Sequence, residues 1–178
     1  MTRRPLTIFF LLVFVVTWAI WVPRAIDPDG PAGAIGAVWT YGPALAAVLA
    51  AALTGGLGDL GRRLIRWRVG LVWYAVALLG PVVVALIVAG VNAVLGGEWA
   101  LTWESPAGLL PLFVVLALTD GLGEETGWRG FALPRMLTRM SPLTASLILG
   151  LIWAAWHLPL FWTETSPLHG QPIPLLFV

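Results

Sequence analysis

The sequence predicts an all-α membrane protein, a polytopic transmembrane helix bundle with about five spans, on the strength of three observations. The 178 residues are 59% hydrophobic and only 11% charged, whereas a soluble domain carries about 25% charged residues. The hydrophobic residues form long runs, several close to the ~20 residues that cross a ~30 Å hydrocarbon core. Stretches rich in Gly, Pro and Asp separate these runs. The net charge of +1 gives no reason to expect nucleic acid as a partner, so the lipid bilayer is the expected environment.

Each span follows from these breaks. The first covers about residues 6–22, and its length favours a retained helix over a cleaved signal peptide. The second and third cover about 34–53 and 71–95, and Gly80-Pro81 predicts an interruption of the third. The fourth starts near residue 107. Ser141-Pro142, typical of an N-cap followed by a first-turn proline, opens the fifth, which ends near Trp162.

The division into regions follows from the spans. Residues 1–106 contain three N-terminal spans, and residues 107–178 form a second region that we expect to be incomplete. A further apolar run begins with "LLFV" and stops at Val178. We therefore expect the sequence to be a C-terminally truncated fragment.

Arginine is unevenly distributed between the loops. The loops after the second and fourth spans contain Arg62, Arg63, Arg66, Arg68, Arg129, Arg135 and Arg139, and the alternate loops contain mainly Asp and Glu. Because cytoplasmic loops are enriched in Lys and Arg, we expect a multi-pass protein of the bacterial inner membrane with a cytoplasmic N-terminus. Tryptophans near span ends, such as Trp18, Trp21 and Trp162, are expected at the membrane interface.

The segment "GLGEETGWRG", residues 121–130, places charges directly after an apolar run. That run, residues 109–118, has ten residues, too few to cross the bilayer, so the helix is expected to continue through the carboxylates. On a rise of ~1.5 Å per residue, Glu124 would lie roughly 8 Å inside the cytoplasmic boundary. Glu125 and Arg129 have the i, i+4 spacing of a helical ion pair, which leaves Glu124 as a candidate general base.

His157 is the one histidine inside an apolar run. Its depth, counted along the fifth span, falls within about 7 Å of the depth of Glu124, which permits a meeting of the two side chains without requiring it. One Glu and one His are too few to close a zinc site, since a catalytic zinc takes three protein ligands.

These residues resemble the motifs of a family of intramembrane proteases that includes CAAX prenyl protease 2 and the lysostaphin-resistance-protein-A-like proteins, known as the CPBP family. "EETGWR" is similar to its E-E-x-x-x-R signature. Its second motif is an aromatic residue, usually Phe, four residues before a His. Here Trp153 and His157 in "WAAWH" match it.

The resemblance implies hydrolysis of a peptide bond within the membrane by an intramembrane endopeptidase. It assigns Glu124 as the base that activates water and His157 as its partner, with Glu125 and Arg129 holding the shape of the site. The expected partner is a membrane-proximal peptide or protein, such as a bacteriocin leader. Whether zinc is a cofactor stays open, with Glu124 and His157 as its ligands if it is used.

The sequence departs from the family in one respect. A third motif, a His followed four residues later by Asn or Asp, is expected on a later helix, and "HGQPI" at His169 does not supply it. A fragment and an inactive truncated relative both fit this departure. Two other functions stay open: a non-catalytic relative that acts in bacteriocin immunity or as a scaffold, and a small transporter that relays protons through Glu124 and Glu125.

Overall fold

The structure, a computed structural model, describes residues 4–33, 40–97 and 106–173. In chain order its α-helices are α1 (Arg4–Ile26), α2 (Gly42–Thr54), α3 (Leu57–Leu64), α4 (Leu71–Val94), α5 (Pro106–Leu116), α6 (Leu122–Glu125), α7 (Leu133–Met136) and α8 (Pro142–Trp156). Two π-helical segments, Ala117–Gly121 and Thr126–Ala132, flank α6, and a 3-10 helix, Leu158–Trp162, follows α8. No strand occurs within these described ranges, and the all-α prediction is confirmed.

Among the residues that the structure describes, three helical segments are long and apolar enough to cross a membrane. They cover Pro5–Ile26, Leu71–Val94 and Pro142–Trp162. The predicted first, third and fifth spans coincide with them. In place of the second predicted span the structure has α2, a shorter apolar helix of 13 residues, while residues 34–39 lie outside the described ranges.

The predicted interruption of the third span is wrong. Helix α4 runs through Gly80 and Pro81 without a break. An internal proline removes one backbone hydrogen bond, but apolar membrane helices tolerate this because local adjustments satisfy the freed carbonyl group. Within α4 no residue is buried, as expected for a helix that is apolar on every side and meets lipid.

The described chain separates into two compact units. One contains residues 65–113, including α4, and the other contains residues 1–64 and 114–178. All of the predicted site residues belong to the second unit, which we call the site unit. The predicted regional boundary at residue 106 rests on the sequence alone and stays a prediction.

The core of the site unit begins with the packing of α1 against α2. Four alanines of α2 are fully buried, at positions 46, 47, 50 and 51. Gly42 faces Thr17 of α1 so closely that a Cβ atom there would overlap the Thr17 hydroxyl group. Small side chains let two helix backbones approach closely, so the alanine-rich sequence of the second span does indicate close helix packing.

Helix α3 lies in the arginine-rich segment between the second and third predicted spans. Its Leu60 is buried and lies beside Gly130 of the second π-helical segment. Its Asp59 accepts a hydrogen bond from Arg63 Nε at 2.9 Å and lies 3.9 Å from Arg135 Nη2. These contacts attach α3 to the C-terminal part of the helix that carries Glu124 and Glu125.

One tryptophan differs from its predicted location. Trp21 is only 2% exposed and packs on Trp156, with ring centroids 4.5 Å apart. It is therefore part of the core and not an interfacial ring. Trp162, in contrast, is largely exposed, as an interfacial residue should be.

Candidate active site

The two carboxylates lie on a helical stretch with an unusual backbone. Residues 117–136, which we call the carboxylate helix, alternate between π-helical and α-helical turns, and Glu124 and Glu125 end the short α6 between the two π-helical segments. The predicted continuation of the helix through the carboxylates is confirmed. π-Helical turns are rare, occur mostly as single-turn bulges inside α-helices and are frequent at functional sites.

Two glycines bring the carboxylate helix against the start of α2. A Cβ atom on Gly123 would overlap the carbonyl group of Thr40, and one on Gly127 would lie 2.6 Å from Cβ of Pro43. Gly123 and Gly127 are four residues apart and so lie on one face of the helix. Positions 123 and 127 are thus glycines because Thr40 and Pro43 leave no room for a side chain there.

Trp153 of α8 holds Glu124 directly. The indole Nε1–H donates a hydrogen bond to Glu124 Oε2 at 2.8 Å. A hydrogen bond to an ionised carboxylate is about twice as strong as one between neutral groups. This contact joins the carboxylate helix to α8.

His157 is oriented by the same tryptophan. Its Nδ1 lies 2.9 Å from the carbonyl oxygen of Trp153, and a carbonyl oxygen only accepts hydrogen bonds. In the neutral imidazole Nδ1 therefore carries the proton, and Nε2 keeps a lone pair for another partner.

An aromatic cluster surrounds the imidazole. The ring centroids of Trp156, Trp153 and Trp21 lie 4.7, 5.4 and 6.2 Å from that of His157. The Trp18 indole of α1 also donates a hydrogen bond to the Trp156 carbonyl oxygen at 3.0 Å. Helix α1 thus helps to fix the end of α8, where His157 lies.

Glu125 and Arg129 form the ion pair that their spacing predicts. Arg129 Nη1 and Glu125 Oε1 are 2.7 Å apart. The Arg129 guanidinium also lies over the Trp153 ring, 4.6 Å from its centroid, where the ring quadrupole attracts the cation. Trp153 therefore contacts Glu124, Arg129 and His157.

Three of the four predicted site residues contact Trp153, and the fourth, Glu125, is joined to them through Arg129. Glu124 and His157 share no direct hydrogen bond within the described ranges, yet both contact Trp153. Sequence analysis noted Trp153 only as the aromatic residue of a motif and did not find its role as a donor. The signal was the residue type, since Trp carries an N–H group that Phe lacks.

The residues present do not complete a metal site. Among the described residues, no group of three His, Cys, Asp or Glu side chains is placed to hold a metal ion. Glu124 and His157 would supply two ligands, whereas catalytic zinc takes three from the protein. We therefore derive no chemical step through a metal.

Comparison with known proteins finds similarity to CAAX-type peptidases. A family model described as type II CAAX prenyl endopeptidase Rce1-like matches residues 106–177. The CAAX prenyl protease 2 of Methanococcus maripaludis is 37% identical over 57 residues, which make up 32% of this chain and 21% of that protein. The aligned residues thus span about a fifth of the relative's length.

These matches define the class of protein. The apolar helices are long enough to span a membrane, and residues 106–177 match a family model of CAAX-type endopeptidases. Residues 106–177 are thus similar to the type II CAAX prenyl endopeptidase Rce1-like family.

Proposed function

We propose that the protein is an intramembrane endopeptidase in which Glu124 activates a water molecule and His157 orients it. The observation that carries this proposal is the double contact of Trp153, whose indole N–H meets Glu124 and whose carbonyl group meets His157. One residue thereby fixes the positions of a carboxylate and an imidazole on two neighbouring helical segments.

The tautomer of His157 suggests how the water is held. Its Nε2 is an acceptor because Nδ1 donates to the Trp153 carbonyl group, and an ionised Glu124 is also an acceptor. A water molecule between them would donate one O–H to each and turn its lone pairs toward the substrate. Glu124 then takes the proton as general base while the oxygen attacks the scissile carbonyl carbon.

Glu125 and Arg129 keep the side chain of Trp153 in position. Their ion pair and the stacking of Arg129 on Trp153 hold the Trp153 ring in place. The substrate we propose is a peptide segment at the membrane, since the site lies between helices of an apolar bundle. The location we propose is the bacterial inner membrane with a cytoplasmic N-terminus.

The test is cleavage by the purified full-length protein in liposomes, with a fluorogenic peptide anchored in the same bilayer. We expect Glu124→Gln to lose at least about 100-fold in kcat, because loss of a general base typically costs 10²–10⁴-fold. Glu164→Gln changes an exposed carboxylate beyond the 3-10 helix and is the matched control.

Three outcomes would contradict the proposal. Glu124→Gln could retain full activity with unchanged far-UV circular dichroism, Glu164→Gln could lose as much activity as Glu124→Gln, or the wild-type protein could cleave nothing. Proton-coupled uptake without cleavage would favour the transporter instead.

A further inference from the structure

We propose that a cavity beside the predicted site is a substrate subsite that takes one aliphatic or aromatic side chain of the cleaved peptide. This inference rests on the proposed endopeptidase function and adds which substrates the protein would select. The cavity has a volume of about 180 Å³ and lies between the carboxylate helix and α8.

Both helices line the cavity with one face each. Its walls are Trp128, Arg129, Leu133, Ser146, Leu149, Gly150 and Trp153. The four positions from α8 are spaced i, i+3, i+4 and i+7, which places them on one side of that helix. Leu149 is buried and Gly150 is exposed, so the cavity reaches from the core to the surface of the site unit.

The cavity adjoins the predicted site through two of its walls. Arg129 pairs with Glu125, and Trp153 donates to Glu124. Gly150 lies seven residues before His157, or ~10 Å along the helix axis. An extended peptide advances ~3.3 Å per residue, so a side chain in the cavity would belong to a residue within about three positions of the cleaved bond.

Size and lining define the ligand. An apolar protein cavity of about 150 Å³ is large enough to bind benzene, so this cavity has room for one side chain between Leu and Phe in size. Leu133, Leu149 and the rings of Trp128 and Trp153 supply apolar walls. At Gly150 a Cβ atom would meet nothing within 4 Å, so the missing side chain leaves this space open.

The first test fills the cavity. Peptides anchored in liposomes carry Ala, Leu or Phe at each of the three positions on either side of the cleaved bond. We expect the wild-type full-length protein to favour Leu or Phe over Ala by about 10-fold or more in kcat/KM at one position, the scale of a few apolar contacts. Gly150→Leu should abolish that preference at the same position.

A matched glycine is available as the control. Gly90 of α4 also has no atom within 4 Å of an added Cβ, and Gly90→Leu should leave the preference unchanged. Leu133→Ala enlarges the cavity and should shift the preference toward Phe, which provides a second variant if Gly150→Leu does not fold. An unchanged preference in both folded cavity variants overturns the subsite.

A binding experiment separates this inference from the proposed function. The catalytically inactive Glu124→Gln protein is irradiated with the peptide carrying photo-leucine, a diazirine analogue close to Leu in size, at the preferred position, or at each of the six positions in turn if no peptide is cleaved. Crosslinks are then mapped by mass spectrometry. Crosslinks to Leu133 or Leu149 support the subsite even if the wild-type protein cleaves nothing, a result that would overturn the endopeptidase proposal alone. Crosslinks only outside the cavity overturn the subsite even if cleavage is robust.

Discussion

Trp153 makes the contacts from which the site is built, and one of them depends on a single hydrogen atom. Trp153→Phe removes the indole N–H that reaches Glu124 but keeps an aromatic ring beside Arg129 and the backbone carbonyl group that meets His157. A hydrogen bond to a charged group contributes about 1.5–3 kcal/mol. We therefore expect kcat to fall about 10-fold or more, because the lost contact positions the base.

The control for this variant is Trp162→Phe, which changes an exposed tryptophan on the 3-10 helix. It should leave kcat and KM unchanged. Steady-state cleavage in liposomes measures both. A Trp153→Phe protein with wild-type kcat would show that the N–H group does not position Glu124. A rise in KM with constant kcat would mean that Trp153 acts only as a wall of the substrate cavity and not as the donor that positions Glu124.

At the scale of the helix, the close approach of the carboxylate helix to α2 depends on its glycine residues. A Cβ atom at Gly127 would lie 2.6 Å from Pro43 Cβ, and Pro43 is fully buried at the start of α2. Overpacking of this kind costs about 1–3 kcal/mol. Gly127→Ala should therefore lower the thermal unfolding midpoint in detergent, measured by circular dichroism.

Gly121, on the same carboxylate helix, provides the control for Gly127→Ala. At Gly121 the nearest atom to an added Cβ is the Leu116 carbonyl oxygen at 3.6 Å, an ordinary contact. Gly121→Ala should be neutral or slightly stabilising because Ala has the higher helix propensity. The packing argument fails if the two alanine variants unfold at the same temperature.

The attachment of α3 to α7 should depend on pH. A hydrogen bond from Arg63 and the positive charges of Arg135 and Arg62 hold the pKa of Asp59 below its ordinary value of 3.8, against an opposing effect of desolvation. A carboxyl group with a lowered folded-state pKa stabilises the fold above its unfolded pKa, and this stabilisation is lost as the pH falls through the folded-state value. The wild-type protein should thus lose this contribution only below about pH 4.

Asp59→Asn tests that dependence. Because Asp59 is well exposed to solvent, the contribution is at most about 1 kcal/mol. The difference in unfolding midpoint between wild type and Asp59→Asn should be constant from pH 8 to pH 5 and shrink below pH 4. A difference that grows on acidification would mean that the ion pairs of Asp59 do not stabilise the fold.

Local sequence patterns predicted the helices better than the contacts between them. The run length, the Ser141 cap and the Glu125–Arg129 spacing depend on neighbours along the chain, and each was predicted. The Trp153–Glu124 hydrogen bond joins residues 29 positions apart, and the fit of Gly127 against Pro43 depends on a neighbouring helix. Such contacts have no periodic signal in one sequence. The continuous helix at Pro81 was missed because proline rules from soluble helices are weaker in lipid.

At the scale of the whole molecule, the site unit combines early and late parts of the sequence. The family match begins at residue 106, yet α1 supplies Trp18 and Trp21 around the end of α8, and α2 supplies the surface that meets Gly123 and Gly127. The N-terminal helices are therefore structural components of the site. Residues outside the matched region should affect cleavage through the position of His157.

Membrane topology is the last prediction, and the composition of the chain makes it easy to test. The sequence contains no cysteine, so single cysteines placed in loops can be labelled with a membrane-impermeant maleimide without a background. The arginine distribution predicts that Arg62→Cys and Thr138→Cys face the cytoplasm and that Asp29→Cys and Ser166→Cys face the opposite side. In bacteria with a permeabilised outer membrane, only Asp29→Cys and Ser166→Cys should be labelled, and all four should be labelled after the inner membrane is opened. Labelling of Thr138→Cys and Ser166→Cys from the same side would contradict a fifth span, because α8 and the 3-10 helix lie between these two positions.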